Sequence, residues 1–589
     1  MSPAFALLDA TGGGAWLFEN HTRTLSVSAA SDLAAQCREL EALTASGAHV
    51  VAALNYELGH VFEPCSAPAS DRVLGYFLVF SERRFLSADA LAAHLQVLAG
   101  DPPRPAAVAD FLPTIAATDH ADAVARIRHY IAAGDCYQVN FTFPFSGQCL
   151  GDPVALYARL RASQPVAHGG LVITPEACVL SLSPELFVER QGGIIRSRPM
   201  KGTAARGGHA GEDAAARAAL ALSVKDRAEN VMIVDLIRND LGRIAESGSV
   251  RVEAICTIED YPSVFQMTST VSARSEAGLY EMLAALFPCG SITGAPKVRA
   301  MQIIHELERQ PRGLYTGALG WIGAQGDFCL SVAIRTLQIE TDGRVRYGVG
   351  SGIVWDSAPA AEYAECLLKA AFVTRADPGF RLIETLRLTD GAFPMLALHL
   401  DRVQASAATL SFACDREALT ESLGQLAAEH AQGNFRVRAT LGRAGDVDLA
   451  VAPMMATAGG MKAVVSSARL DSRNPWLRYK TTVRELYEQE LARIQSDPAV
   501  FDVIFLNERN EVCEGARSNV FVRMTPGEAL LTPPLVCGVL PGVLRRHLLE
   551  SGEAREVVFG EADLHRAAEV YLGNALRGLI RVGLSRFEN

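Results

Sequence analysis

Short apolar runs of strand length, such as Val73–Phe80, Cys178–Leu182 and Leu186–Val188, alternate along the chain with stretches of helical spacing. One helix is clear: between Val224 and Arg243, the residues Met232, Ile233, Leu236 and Ile237 recur at helical intervals and share a face. The mixture predicts an α/β (α+β) protein. Two clusters of breaker residues punctuate it. Asp101-Pro102-Pro103-Arg104-Pro105 reads as a surface loop, and Thr374-Arg375-Ala376-Asp377-Pro378-Gly379 as a turn. A strand-like run, Phe380–Leu386, starts directly after that turn, so a domain boundary is expected near residue 377.

At 589 residues the chain exceeds what one core organises, which also calls for two or more domains. Apolar residues make up 49% and charged residues 21%, ordinary values for a globular protein in water. The formal charge of −11, without any block of Lys and Arg, argues against nucleic-acid partners. The 12 cysteines are scattered and form no CxxC pair, which suits free thiols in a reducing compartment better than disulfides or a zinc site. The start, Met1–Phe5, lacks the basic region of a signal peptide, and no apolar run reaches the length of a membrane span. A soluble, cytoplasmic protein is the expectation.

Acids and lysines of chemical interest lie between residues 180 and 370. Glu185 follows Ser183-Pro184 and precedes an apolar run, where a strand is expected to begin. Lys201, in Pro199-Met200-Lys201-Gly202-Thr203, is expected in a turn. Asp226 and Glu229 share a face of the helix above, and Glu362, Glu365 and Lys369 share a face of a second helix. Before that second helix, Gly348-Val349-Gly350-Ser351-Gly352 is expected to be a loop whose backbone can approach a ligand closely. Taken singly, each feature reads best as ordinary surface, since a helical glutamate is usually solvated.

Their joint order changes that reading. Gly134–Asn140, Ser183-Pro184-Glu185, Glu229–Asp240, Gly290–Lys297, Tyr315-Thr316-Gly317 and Ser351–Val354 together resemble the chorismate-utilising enzymes. That group contains anthranilate synthase component I, isochorismate synthase and aminodeoxychorismate synthase component I. The resemblance implies a two-sheet β-sandwich core with surrounding helices. Residues 111–376 would be the chorismate-binding catalytic domain and residues 1–110 the N-terminal part of the same fold. The resemblance also implies Mg²⁺ held by Glu229 and Glu365, an ion that favours a few carboxylates plus waters and a substrate oxygen. Arg335 and Lys369 match positions that pair with substrate carboxylates, and Thr293, Tyr315, Gly350, Ser351 and Gly352 match other pocket contacts. Glu185 matches the acid that helps the C4 hydroxyl leave, a task that needs a raised pKa.

Lys201 separates the branches. Anthranilate synthases carry alanine in the corresponding stretch, whereas aminodeoxychorismate synthases carry a lysine that attacks ring C2 before ammonia enters at C4. Gln138 stands where the water-adding relatives use a lysine base, which disfavours isochorismate synthesis. Gln266 replaces a histidine common in anthranilate synthases.

The segment 377–589 carries a second set of motifs: Ile383–Arg387, His399-Leu400-Asp401-Arg402, Tyr479-Lys480-Thr481-Thr482, Glu514–Phe521, Leu540-Pro541-Gly542-Val543 and Gly573–Gly578. These resemble the fold-type IV pyridoxal-phosphate enzymes, which include branched-chain and D-amino acid aminotransferases and aminodeoxychorismate lyase. The resemblance implies two α/β subdomains and pyridoxal 5′-phosphate as cofactor. Lys480 matches the lysine that carries the cofactor, Glu514 the partner of its pyridine nitrogen, and Arg402 a phosphate ligand. The amides of Val543 and Leu544 would hold the phosphate at a helix N-terminus; many relatives have threonine in place of Leu544.

The two resemblances together imply conversion of chorismate and ammonia to 4-amino-4-deoxychorismate, then loss of pyruvate to give 4-aminobenzoate for folate synthesis. No segment resembles a glutamine amidotransferase, so a separate subunit is expected to supply ammonia, and the C-terminal half allows a homodimer. Two alternatives are an anthranilate synthase fused to an amino-acid aminotransferase and a degenerate scaffold for a glutaminase subunit. Lys201 weighs against the first, and the intact set Lys201, Glu229, Glu365 and Lys480 against the second.

Overall fold

The computed structural model describes residues 4–10, 12–28, 31–63, 73–261, 264–455 and 460–585. It contains two compact units, Met1–Ala376 and Asp377–Asn589. Among the described residues no helix is long and apolar enough to cross a membrane, and the described cysteines are free thiols.

Antiparallel strands of the first unit form one continuous hydrogen-bonded path. From Val264–Arg274 it passes through Ile194–Arg198, Leu186–Gln191, Phe328–Val332, Ala318–Ile322, His49–Leu54 and Val73–Leu86. It continues through Ala15–Ser28, Phe5–Asp9, Gly170–Ile173, Ala177–Ser181, Thr336–Glu340, Arg344–Ile353, Gln138–Gly151 and Ala106–Pro113. Strands from the first 110 residues therefore supply the middle of this path. The path turns back on itself and makes a two-layer sandwich, with Ala6, Phe18, Val51, Phe80, Val172 and Leu319 in a shared apolar cluster. Helices cover both outer faces. Val124, Ile233, Met282 and Ile304 pack with Val50, Val188 and Val271 on one side. On the other, Leu95, Leu160 and Cys366 pack with Leu171, Leu337 and Val345.

Two helices carry the acids. In Val224–Gly242, the Ser223 hydroxyl accepts the Asp226 amide and satisfies an orphan donor of the first turn, while Ile233 and Ile237 are buried. Pro359–Arg375 starts with proline at its first position and ends with Arg375 in its last turn, both favourable placements.

Two local expectations are corrected. Gly348–Gly352 is not a loop but lies inside the strand Arg344–Ile353, paired without interruption to Gln138–Gly151. That ladder satisfies the backbone, so the glycines are there for space: a Cβ on Gly348 would enter the Tyr315 ring, and one on Gly350 would meet Thr142. Lys201 is not in a turn but in the strand Met200–Ala205. The ladder to Val264–Arg274 slips by one residue between Met200 and Thr203, a β-bulge formed at Lys201-Gly202 with Gly202 at φ +88°.

The second unit contains two sheets. Leu382–Thr389, Asn434–Leu441 and Val447–Pro453 form an antiparallel sheet with the helices Leu396–Leu410 and Arg416–Glu429. The larger sheet runs Val512–Gly515, Val500–Asn507, Lys462–Leu470, Gly578–Ser585, Glu569–Asn574, Asn519–Arg523, Leu530–Thr532 and Ala554–Glu556. One further pairing, Glu514 with Asn519, closes six of these strands into a ring.

A buried ion pair ties the acid-bearing helix Val224–Gly242 to the helix Lys297–Leu307. Lys297 Nζ donates to Asp240 Oδ2 at 2.7 Å and to the carbonyls of Leu286 and Pro288. Lys297→Met leaves Asp240 buried and unpaired, and is expected to lower unfolding free energy by about 3 kcal/mol. Adding Asp240→Leu should recover most of that loss in urea titrations.

Candidate active sites

The bulge turns Lys201 into a polar pocket of the first unit. A Cβ built on Gly352 would lie 3.2 Å from Lys201 Nζ and would overlap the Gln138 amide, so the missing side chain leaves room for the amine. Burial pushes the Lys201 ammonium below the ordinary lysine range, and Lys369 adds to this; Glu229, Glu185 and Glu365 oppose it. Glu185 is buried and accepts the Ser291 hydroxyl at 2.7 Å. Burial lifts its pKa to about 7 against the pull of Ser291 and Lys201, far above the ordinary carboxyl range.

Glu229 and Glu365 come from the two helices and both feel Lys201 and Lys225. Burial raises the Glu229 pKa, with Asp226 and Glu362 adding to the rise. At Glu365 partial burial is outweighed by Lys369, whose Nζ sits 2.7 Å from Oε1, and the carboxyl titrates below its usual range. Lys369 also donates to the Gly350 carbonyl at 2.9 Å. Among the described residues no three acids, histidines or cysteines converge into a ready-made metal site. The donor set still suits Mg²⁺, which takes one or two protein carboxylates and completes its octahedron with water and substrate oxygens.

The other pocket positions divide. Arg335 holds a left-handed backbone at φ +49° and shares a small cavity with Pro184, Met200 and Gln266, the neighbours of Glu185 and Lys201. No carboxylate pairs with it among the described residues, and burial lowers its pKa, so it is poised for an anion. By strand alternation the Ser351 side chain points to the face opposite Gly350 and Gly352. The Thr293 hydroxyl is buried and donates to the Gly290 carbonyl at 3.1 Å, which leaves it only as an acceptor. Tyr315 lies against Gly348, roughly 13 Å along the strand from Gly352 at ~3.3 Å per residue. Its ring lines a groove with Thr142, Glu308 and Arg312.

In the second unit Lys480 lines a cavity with Tyr479, Arg484, Tyr487, Glu514 and Leu540. Burial, with Arg402 and Arg484 nearby, lowers its pKa to about 7 against Glu384 and Glu514. Its carbonyl accepts the Ile383 amide at 2.8 Å, which ties the lysine to the strand bearing Glu384. Glu514 is buried and lifted to about 7; Tyr487 donates to Oε1 at 2.6 Å and the Leu540 amide to Oε2 at 2.8 Å. Arg402 grips Glu384 through Nε at 2.8 Å and Nη2 at 2.6 Å, and Nη1 reaches the Pro541 carbonyl at 3.3 Å. Two of its five N–H groups remain for a ligand.

Beside Arg402's neighbour Pro541, the helix Val543–Glu550 begins without a side-chain cap, and no described acceptor takes the Val543 or Leu544 amide. A Cβ on Gly542 would overlap the Asn519 side-chain oxygen, so glycine there lets the chain enter the helix without displacing Asn519. A near-neutral, half-buried amine, a buried acid, a held guanidinium and uncapped amides are what pyridoxal phosphate requires. The residues fit the cofactor.

Several contributors escaped sequence reasoning. Ser291 lies inside the quoted Gly290–Lys297 stretch, yet only the fold shows its bond to Glu185. Tyr487 reaches Glu514 through a tertiary contact with no local pattern, and Asn519, inside the Glu514–Phe521 motif, meets the Leu540 carbonyl only in the fold. Glu384 belongs to the Ile383–Arg387 motif, but its role in seating Arg402 and His399 emerges only from the packing.

Residues 16–375 match the family model of chorismate binding enzymes, and residues 381–584 match that of amino-transferase class IV. The chain belongs to the chorismate-binding enzyme family and carries an aminotransferase class IV domain after it. It is 46% identical over 242 residues to an aminodeoxychorismate synthase component 1 of Klebsiella aerogenes, covering 41% of this chain and 53% of the relative. The Bacillus subtilis protein of that name is 42% identical over 256 residues, covering 43% and 54%. The chain thus spans about half the length of these curated relatives. Among solved structures, anthranilate synthase component I of Streptococcus pneumoniae superposes with a TM-score of 0.52 at 28% identity, covering 64% of this chain and 91% of that one.

Glu384 gives a stability test. Although burial pushes it up, Arg402 and His399 hold its pKa at about 2, below its unfolded value of roughly 4.3. A depressed carboxylate stabilises the fold above its unfolded pKa and loses that contribution as pH falls through the folded pKa. Glu384→Gln is therefore expected to destabilise the second unit by about 3 kcal/mol at pH 7. The difference from the parent should shrink between about pH 4.5 and 2 in denaturant titrations.

Proposed function

We propose that the first unit aminates chorismate to 4-amino-4-deoxychorismate and that the second removes pyruvate from it to yield 4-aminobenzoate. The observation that carries the reading is the Lys201 amine, depressed by burial, facing bare Gly352 beside an acid lifted to about 7. A neutral amine is a nucleophile, and a carboxyl titrating near neutrality can donate a proton. The Lys201 nitrogen forms a bond to ring C2, the ring double bonds shift, and the C4–O bond breaks. Glu185 protonates the departing hydroxyl, which leaves as water. Ammonia then bonds to C4, the double bonds shift back, and the C2–N bond breaks to release Lys201. Glu229 and Glu365 would hold Mg²⁺ against the ring carboxylate, while Arg335 and Lys369 orient the substrate anions.

In the second unit bound pyridoxal phosphate supplies an electron sink for the substrate amine. Arg402 and the Val543 and Leu544 amides would hold its phosphate, and Glu514 would partner its pyridine nitrogen. Lys480, near neutrality, takes the proton from C4 of the ring, the C3–O bond breaks, and the enolpyruvate that leaves gains a proton at its methylene carbon to become pyruvate. The relatives' names number them as component 1, which supports a separate glutamine amidotransferase that supplies the ammonia.

With chorismate, Mg²⁺ and ammonium salts, Lys201→Ala should lower aminodeoxychorismate formation by about 10³-fold while the second reaction, fed with the intermediate, is unchanged. Equal rates for mutant and parent would overturn the first assignment. Lys480→Ala should accumulate the amino intermediate, and immediate release of 4-aminobenzoate would overturn the second. The first reaction should slow as pH rises through about 7, because Glu185 is then deprotonated, and Glu185→Gln should lose that limb.

A further inference from the structure

We infer that Gln266 is a positioning residue that clamps the bulge carrying Lys201; the inference rests on the role proposed for that lysine. The one-residue slip between Met200 and Thr203 takes Lys201 and Gly202 out of the ladder with Val264–Arg274. A bulge leaves its extra residue without ladder partners, and a shielded carbonyl without a donor is costly. Gln266 answers that need. Its Nε2 donates to the Gly202 carbonyl at 2.8 Å, and its Oε1 accepts the Thr203 hydroxyl, also at 2.8 Å. Gln266 and Thr203 are direct cross-strand partners, so both side chains stand on one face over the bulge.

The clamp acts on the residues that set the direction of Lys201. On its other side Gly202 is pressed against Asp226: a Cβ there would come within 2.9 Å of the Asp226 Cβ. The left-handed Gly202 is thus fixed from the neighbouring strand by Gln266 and from the helix Val224–Gly242 by Asp226. Gln266 is itself buried and lines the small cavity with Met200 and Arg335, so its amide holds the edge of the pocket. An amide does not titrate, so the two bonds persist whatever the protonation states of Lys201 and Glu185.

The test follows Lys201 in the ligand-free full-length protein. The pH dependence of its modification by an amine-reactive reagent is read by peptide mass spectrometry. Gln266→Leu should move the half-point up by about half a unit or more as the freed bulge lets Lys201 reach water. The synthase kcat should fall about tenfold while KM for chorismate stays within about twofold. Thr203→Val should move the half-point in the same direction, and Thr203→Ser, which keeps the hydroxyl, should restore the parent value. An unmoved half-point in Gln266→Leu and Thr203→Val overturns the inference. So does a large rise in KM with the half-point unmoved, since that would make Gln266 a substrate contact. Because the titration is read without substrate, it decides the clamp separately from whether Lys201 attacks the ring, which Lys201→Ala tests.

Discussion

An ammonium withdrawn from water loses hydration that nearby carboxylates and carbonyls must replace, and each unit holds one such amine at its candidate site. Lys201 and Lys480 are each depressed first by burial and then by a neighbouring cation, with acids close enough to limit the shift. Too many acids would keep the amine charged and inert. Too few would expel it to solvent. The balance lowers both lysines, and at Lys480 it brings the amine to about 7, where a neutral fraction exists at physiological pH.

Backbone geometry enforces that balance. In the first unit a bulge aims Lys201, and an unbroken glycine-bearing strand gives it room. In the second unit the pairing of Glu514 with Asn519 closes the ring of strands beside Gly542, which brings the acid and the helix N-terminus together. Each device is local in space but joins segments distant in sequence: Gly202 to Gln266, Gly352 to Lys201, Asn519 to Leu540.

Similar carboxylates acquire opposite properties from their partners. Glu185 and Glu514 are buried with hydrogen-bond donors that are mostly neutral, and both titrate near 7. Glu384 is equally buried but bears the full charge of Arg402, and titrates near 2. The first two can share protons, whereas the third is a fixed anion that seats an arginine.

The sequence already carried much: breaker residues pointed to a boundary near residue 377, and motif order pointed to the two enzyme families and to candidate lysines and acids in each half. Those patterns are legible because families keep reactive residues within short stretches of fixed character. The helix Val224–Gly242 was readable for a different reason, since its apolar period is local. Only tertiary structure decided that Gly348–Gly352 is a strand and that Lys201 rides a bulge. Glycines read as turns in isolation, and it takes the paired strand to show that their backbone is already satisfied. The pKa of each acid was likewise beyond the sequence, because it depends on burial and on partners that can lie more than a hundred residues away, as Ser291 does from Glu185.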